Sequence, residues 1–253
     1  MIERYSIKKD FADIANLRGL AMTASFTTLV FLATSIFYLA LTSEGFFNLG
    51  EAFIYVAALV GGPIVGMISG GVGAALADIV LGYAIFAPAT FVLKSAEGFF
   101  VGMLFMLLRK FSKKIQITFV LIISTLMITA SALLFNNKIE GGLSLFGLGG
   151  LEFTFTFPGY IILIISLLLI ALIWISTLVW GEKGKMIISC ISGGLIIVIG
   201  YFLYEWLLFG IGAALVEIPF NFGQVVFGTA IAIPIVSYLY KIGFLSYEDE
   251  EEK

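Results

Sequence analysis

Histidine is missing from this chain of 253 residues, and cysteine occurs once, at Cys190. Without histidine there is no imidazole to act as a general base or a proton relay, and most zinc sites are excluded. A single cysteine rules out an intrachain disulfide and any site built from several cysteines. Cys190 stands among apolar residues, so we expect it to pack rather than react.

Charge is scarce as well: 12% of the residues are charged and 60% are hydrophobic, with a mean hydropathy of +1.10. A soluble domain carries about 25% charged residues, so this composition indicates a polytopic membrane protein. We predict one all-α membrane domain, 1–253, with about eight spans, since each span needs about 20 mostly apolar residues. The predicted spans are 19–41, 51–68, 70–86, 90–108, 115–135, 158–180, 186–209 and 219–240, between an amphipathic lead-in at 1–18 and an acidic tail at 246–253.

The basic residues predict the orientation of these spans. With the N-terminus inside, the cytoplasmic segments hold most of the 14 Lys and Arg residues: Arg4, Lys8, Lys9, Arg18, Arg109, Lys110, Lys113, Lys114, Lys183, Lys185, Lys241 and Lys253. Lys138 then lies outside and Lys94 lies within a span. The positive-inside rule therefore places both termini in the cytoplasm.

Polar residues of five predicted spans fall in the outer half of the membrane, and Asn48 precedes the second span. The candidates for substrate contact are Asn48, Glu51, Asp78, Tyr83, Lys94, Glu97, Glu205, Asn221 and Gln224. Ionisable groups at membrane depth are costly and usually serve a pathway or a ligand. Together with the flanking aromatic residues Tyr83, Phe91, Tyr204 and Trp206, they predict a small-molecule pocket that opens to the outside.

Several of these residues also have a purely structural interpretation. Lys94 and Glu97 are three residues apart and can neutralise each other, and Asp78 can pair with Lys94. Glu51 can be a first-turn acid that complements a helix dipole, and Glu205 can belong to an interfacial aromatic belt. The glycines from 61 to 73 favour close helix packing.

Catalytic sequence motifs are missing. The chain contains no GxxxxGK[ST], HExxH or GxSxG pattern and no cluster of metal-ligand residues. We therefore predict a protein that is not an enzyme, with no catalytic residues, no metal, no cofactor and no nucleic-acid partner.

Two stretches carry a resemblance to a known family. FNLGEAFIYVAALVGGPIVGMISGGVGAALADIVLGYAIFAPATFVLKSAEGFFVGM resembles the core signature of S components of energy-coupling factor (ECF) vitamin transporters. VIGYFLYEWLLFGIGAALVEIPFNFGQVVFGTAIAIPI is similar to the last two helices of that family. The resemblance implies a membrane-embedded subunit that binds a vitamin or related micronutrient and docks onto a T component driven by two ATPases.

The resemblance has further implications and one departure. The riboflavin-type branch looks most similar, while thiamine, its pyrimidine precursor and a deazaguanine precursor of queuosine stay open. Ala21 and Ser25 stand where the family has an AxxxA-like contact with the T component. Family members have six helices, so the core is expected at 19–112 and 186–242, with an inserted helix pair at about 113–185. The connection 136–157 is either a lid over the pocket or a passive loop.

Two other classes of protein remain as alternatives. A stand-alone secondary transporter or channel would show inverted repeats and charges on both sides of the midplane, whereas the polar residues here lie on one side. A membrane scaffold without a ligand would use the same polar residues for structure alone.

Overall fold

A computed structural model describes residues 16–39, 46–136, 138–145, 151–179 and 181–245 of the chain. Helices make up most of this part, as predicted: α1 Leu17–Ile36, α2 Gly50–Leu81, α3 Ala87–Lys110, α4 Lys113–Leu134, α5 Tyr160–Val179, α6 Gly181–Phe209 and α7 Ile211–Lys241. Two antiparallel strand pairs join β1 Tyr38–Leu39 to β2 Phe47–Asn48, and β3 Lys138–Leu145 to β4 Leu151–Pro158. The lead-in before residue 16 and the acidic tail at 246–253 lie outside the described residues.

Five of the described helices, α1, α2, α3, α6 and α7, are long and apolar enough to cross a membrane. Large apolar side chains cover the outside of the bundle, and Leu207, Leu168 and Phe227 are examples. Exposed apolar surface on this scale suits contact with lipid. The chain is therefore a multi-pass, all-α membrane protein.

The predicted second and third spans form one element, α2, which folds back on itself at Gly62. Gly62 has φ 85° and ψ −178°, a conformation that is essentially restricted to glycine, and Pro63 follows it. A Cβ on Gly66 would lie 2.7 Å from the Cβ of Ala58. Residues eight apart on a straight helix are separated by about 12 Å, so the two limbs run antiparallel. The predicted boundary near residue 69 is wrong because Gly62 and Pro63 supply the turn.

The first limb of α2, residues 50–61, is too short to be the span predicted at 51–68. Twelve residues of helix measure about 18 Å, against a hydrocarbon thickness of about 30 Å. The turn packs on α3, where a Cβ on Gly102 would lie 2.6 Å from the nitrogen of Pro63. Gly102 is eight residues, or about 12 Å, from the end of α3. Most residues of this limb are buried, so it is enclosed by protein.

The other helices pack on α2 and on one another. Val30 of α1 packs against Gly73, and Gly66 packs against Gly98 of α3. Thr90 of α3 contacts Tyr201 of α6, with 2.9 Å between the hydroxyl oxygens. Helices α1, α2 and α6 finish at the same end of the bundle, which we call the cavity end. We call the opposite end the far end. Helix α2 begins and finishes at the cavity end, and the directions of the other helices alternate along the chain between the two ends.

The far end holds the basic residues of the described chain that were predicted to be cytoplasmic. They are Arg18, Arg109, Lys110, Lys113, Lys114, Lys183, Lys185 and Lys241. Glu182 ties two of them together: Arg109 Nε lies 3.4 Å from Glu182 Oε2, and Lys185 Nζ lies 2.5 Å from Glu182 Oε1.

The helix pair α4–α5 lies at the side of the bundle. Ser131 Oγ donates to Ser166 Oγ at 2.6 Å, and Trp174 Nε1 donates to Ser124 Oγ at 3.2 Å, which joins the two helices to each other. Helix α5 also packs on α6, and strand β3 of the connecting hairpin packs beside α7. The pair occupies the predicted insert. Its status as an addition to a six-helix core stays a prediction.

Candidate functional site

A polar cavity lies at the cavity end of the bundle, above the start of the first limb of α2. Its free volume is about 50 Å³. The walls come from α1, the segment before α2, the second limb of α2, the α2–α3 connection, α3, α6 and α7. The lining residues are Thr34, Phe46, Asn48, Ala74, Asp78, Tyr83, Phe86, Thr90, Lys94, Tyr201, Glu205, Glu217, Asn221 and Gln224.

A buried ion cluster forms the floor of the cavity. Lys94 Nζ pairs with Glu51 Oε1, and its distance to Glu97 Oε2 is 3.7 Å. Tyr55 donates to Glu97 Oε1 at 2.9 Å. Glu51 and Glu97 have no exposed surface, and Lys94 is 4% exposed. The ammonium thus lies between two carboxylates, and the cluster ties the first limb of α2 to α3.

Asp78 lies in the cavity wall above this cluster. It is 4% exposed, lies next to Thr90 and has one carboxylate oxygen, Oδ2, without a hydrogen-bond partner among the described residues. Where the structure describes the chain, the ion pairs of Lys94 are with Glu51 and Glu97 and not with Asp78. The structural pairing of Asp78 with Lys94 that the sequence left open is therefore not made.

Three amide side chains link the segment before α2 to α7. Asn48 Nδ2 donates to Gln224 Oε1 at 2.7 Å, and Gln224 Nε2 donates to Asn221 Oδ1 at 3.2 Å. The Asn48 carboxamide oxygen accepts from the backbone N–H of Gly50 at 2.8 Å and so satisfies the first free N–H of the first limb of α2. We call this chain of amides the amide latch. It holds Phe46 and Asn48 over the cavity.

Aromatic rings complete the cavity wall. Phe46 and Tyr83 have ring centroids 4.8 Å apart, and the Tyr201 ring centroid lies 5.6 Å from Lys94 Nζ. Burial, with the nearby Tyr38, Glu217 and Asp78, raises the pKa of the Tyr83 phenol above its ordinary value of 10.0. Its hydroxyl therefore stays protonated at neutral pH and can donate a hydrogen bond.

Seven of the nine residues predicted to contact substrate line this cavity: Asn48, Asp78, Tyr83, Lys94, Glu205, Asn221 and Gln224. The other two, Glu51 and Glu97, lie in the floor cluster. Glu51 is level with Lys94, since the two side chains pair, and is deeper than the outer position predicted for it.

Two predictions need correction: the place of Asn221 and Gln224 on their helix, and the aromatic flanks of the cavity. Asn221 and Gln224 are not in the first turn of the last helix, because α7 begins at Ile211 and continues through Pro219. Asn221 is ten residues, or about 15 Å, from the start of α7. Three of the predicted aromatic flanks, Phe91, Tyr204 and Trp206, do not line the cavity. Phe91 and Trp206 are each 48% exposed, and the Tyr204 hydroxyl donates to the Ile85 carbonyl.

Half of the lining residues were not predicted from the sequence. They are Thr34, Phe46, Ala74, Phe86, Thr90, Tyr201 and Glu217. Glu217 was within reach of sequence reasoning, since positions 217, 221 and 224 share one helix face. The early helix start at Gly210–Ile211 concealed that face. The hydroxyl residues Thr34, Thr90 and Tyr201 lie in apolar membrane helices, where nothing in the sequence distinguishes them as lining residues.

The predicted T-component contact on α1 and the predicted insert lie outside the cavity wall. Ala21 and Ser25 are exposed on α1, and Ser25 Oγ donates to the Ala21 carbonyl at 2.8 Å. The connection 136–157 includes the β3–β4 hairpin, with 137 and 146–150 outside the described residues. Within the described chain there is no group of three or more His, Cys, Asp or Glu residues that could hold a metal ion.

These features define a helical membrane protein with an enclosed polar cavity at one end. Residues 15–135 match the model of the family "ECF-type riboflavin transporter, S component". These residues are therefore similar to the S components of ECF transporters, and the branch they match is the riboflavin-type one. The matched range reaches to the end of α4 and so includes the first helix of the predicted insert.

A curated relative gives a shorter match. An "Uncharacterized protein in gap 3'region" of Pyrococcus woesei is 47% identical over 60 residues, which is 24% of this chain. The match spans 40% of the relative's length. Its name assigns no activity, so the similarity adds no functional information.

Proposed function

We propose that this chain is the substrate-capture subunit of an ECF-type ABC importer. The observation that carries the proposal is the buried polar cavity, which lies at the end opposite to the basic residues. By the positive-inside rule, the basic far end is cytoplasmic and the cavity end faces outward. Both termini are then cytoplasmic, and a solute reaches the cavity from outside.

The ligand we propose is a vitamin or related micronutrient, with riboflavin as the first candidate because of the matched branch. Ligand pockets typically enclose about 300–1,000 Å³. A free volume of about 50 Å³ is far below this range, so the cavity must widen when a vitamin enters. The segment 46–49 is the part we propose to move, since its hydrogen bonds to α7 converge on one side-chain atom. Gln224 Oε1 accepts from Asn48 Nδ2 and from the Asn48 backbone N–H.

Lys94 has a structural role here and is not the main contact for a ligand. Because Glu51 and Glu97 already neutralise its ammonium, Lys94 stabilises the floor, and the contacts to a ligand fall to the cavity wall. Asp78, Glu205 and the amides accept or donate hydrogen bonds there, and Tyr83 and Tyr201 offer ring faces.

Delivery requires partners, because the sequence has no P-loop for ATP. We propose docking onto a T component that is driven by two ATPases. Ala21 and Ser25 are exposed on α1, and a small-xxx-small pair lets another helix approach closely. Membrane lipid covers the remaining apolar surface.

Uptake by proteoliposomes tests the proposal. The chain, with or without a T component and ATPases, is reconstituted and supplied with radiolabelled riboflavin and other vitamins. We expect accumulation only with the complete complex and ATP, and tight binding by the chain alone. Accumulation driven by an ion gradient without partners would instead establish a secondary transporter. Mass spectrometry of the molecule that co-purifies in mild detergent identifies the ligand independently.

A further inference from the structure

We propose that the cavity binds an organic cation, namely a planar nitrogen heterocycle that carries a positive charge. This inference rests on the proposed capture function and narrows its substrate to a charge class. Riboflavin, the candidate that the matched family branch suggests, is neutral and therefore serves as a test compound against this inference. Four features of the cavity support it: the negative charge of its wall, the unpartnered carboxylate oxygen of Asp78, the aromatic rings, and the neutralisation of Lys94 by two carboxylates.

The wall of the cavity is acidic. Asp78, Glu205 and Glu217 line it, and they are 4%, 3% and 6% exposed. Lys94 supplies the one cation among the described lining residues. In the floor beneath it, Glu51 and Glu97 already balance that cation. The summed charge of wall and floor is therefore negative when the carboxyls are ionised.

Asp78 gives this charge a specific acceptor. Its Oδ2 atom has no hydrogen-bond partner within the described residues, although the side chain is almost fully buried. A buried acceptor of this kind costs free energy unless a partner satisfies it. A ligand N–H that carries positive charge is the strongest partner for it, because charge-assisted hydrogen bonds are about twice as strong as neutral ones.

The aromatic residues suit the same ligand. Phe46, Tyr83, Phe86 and Tyr201 line the cavity and present rings on several sides. Cations are attracted to the faces of aromatic rings, and cages of such rings recognise ammonium groups. A planar heterocycle also stacks on them, so the rings favour both the shape and the charge of the proposed ligand.

The helix N-terminus at the floor does not reverse this preference. A helix N-terminus attracts anions, and the first limb of α2 begins at Gly50. Glu51 in the first turn already offsets its partial positive charge, and one of its free N–H groups, that of Gly50, donates to Asn48.

Binding measurements on matched pairs of compounds test the proposal. The full chain in nanodiscs at pH 7 is titrated with 7-aminomethyl-7-deazaguanine, a cation, and with its neutral 7-cyano analogue. Thiamine and its neutral thiophene isostere, 3-deazathiamine, form a second pair, and riboflavin is included alone. We expect at least one cation to bind ten times more tightly or better than its neutral counterpart.

Asp78→Asn removes the charge while keeping the size of the side chain. We expect the affinity for the cation to fall by about 10- to 100-fold, and the affinity for the neutral analogue to change little. Glu182→Gln, which removes a carboxylate at the far end, is the matched control and should leave both affinities unchanged. The comparison of charged and neutral ligands on the unmodified chain needs no variant, so it stands even if Asp78→Asn does not fold.

Each outcome separates the two proposals. Neutral compounds that bind as tightly as their charged counterparts would overturn the cation inference. Riboflavin binding without cation binding would do the same and would support the capture function. If no compound binds, the cation inference fails, and ATP-dependent uptake by the complete complex decides the capture function on its own.

Discussion

The ammonium group of Lys94 joins α2 to α3 at the floor of the cavity, where burial limits screening by water. A buried ion pair gains little net free energy over apolar packing, but the loss of one partner leaves an uncompensated charge. Two carboxylates, Glu51 and Glu97, would be left in this position without Lys94. The residue therefore matters for folding even though it lines the cavity.

We expect Lys94→Met to destabilise the fold by about 3–5 kcal/mol, since Glu51 and Glu97 stay buried without their cation. The measurement is thermal unfolding in mild detergent, followed by intrinsic fluorescence. Addition of Glu51→Gln to this variant should recover part of the loss. Lys185→Met, which breaks a partly exposed pair with Glu182, should cost less than about 1 kcal/mol. Equal losses for Lys94 and Lys185 would contradict the assignment of the floor cluster.

Sequence reasoning found the charged residues of the site but not their partners. The cost of ionisable groups in a membrane singled out Glu51, Asp78, Lys94 and Glu97 without any structure. The choice of Glu51 as the main partner of Lys94 depends on the fold-back of α2, which brings residues 43 positions apart into contact. Spacing along one helix could reveal only the Lys94–Glu97 neighbourhood.

At the scale of elements, close backbone contact between α2 and α3 sets the shape of the bundle. A Cβ on Gly98 would lie 2.2 Å from the carbonyl oxygen of Gly66, which is backbone and cannot move aside alone. Glycines at such crossings let membrane helices approach closely. The sequence predicted this role for the run from 61 to 73 but not for Gly98, which lies on the partner helix.

We expect Gly98→Ala to lower stability by about 1–3 kcal/mol, because α2 and α3 must separate to admit the methyl group. Gly212→Ala is the control: apart from its chain neighbours and the nearby backbone of its own helix, no atom of the described chain lies within 4 Å of the place that its new methyl group would take. That substitution should be neutral or slightly stabilising. Comparison of the two apparent Tm values in one detergent checks this, and a Gly98→Ala protein as stable as the control would refute the close crossing.

The amide latch connects the segment 46–49 to α7 by hydrogen bonds between side chains. We expect Asn48→Ala to raise the ligand dissociation rate by about 5- to 10-fold, since a lost hydrogen bond of about 1 kcal/mol loosens the cover of the cavity. Stopped-flow fluorescence with the ligand found by mass spectrometry measures the rate. Asn16→Ala removes a cap of α1 at the far end and should leave the rate unchanged. An unchanged rate in Asn48→Ala would show that this segment is not the moving part.

At the scale of the whole molecule, basic residues and cavity occupy opposite ends. For the orientation test, Cys190→Ala removes the buried native thiol, and Lys138→Cys or Lys183→Cys adds a single new one. We expect a membrane-impermeant maleimide to label position 138 from outside in intact cells. Position 183, which is exposed at the far end, should react only after permeabilisation. The reverse pattern would invert the proposed entry side.

The overall architecture was largely predictable from the sequence, because long apolar runs and the distribution of Lys and Arg need no tertiary information. The number of complete crossings was not. Residues 50–61 are as apolar as a span, and only the turn at Gly62 and its contact with Gly102 show that this limb ends inside the protein. Hydropathy measures composition and does not detect where a helix reverses.

The fold-back of α2 has a consequence for how the protein is made. The first limb is too short to be released into lipid as an independent helix, and its Glu51 has no compensating charge until α3 has been synthesised. The insertion machinery must therefore hold both limbs of α2 until α3 arrives with Lys94. Membrane insertion of this region then proceeds as one unit of three helical segments, and biogenesis of the cavity end begins only after residue 94 has left the ribosome.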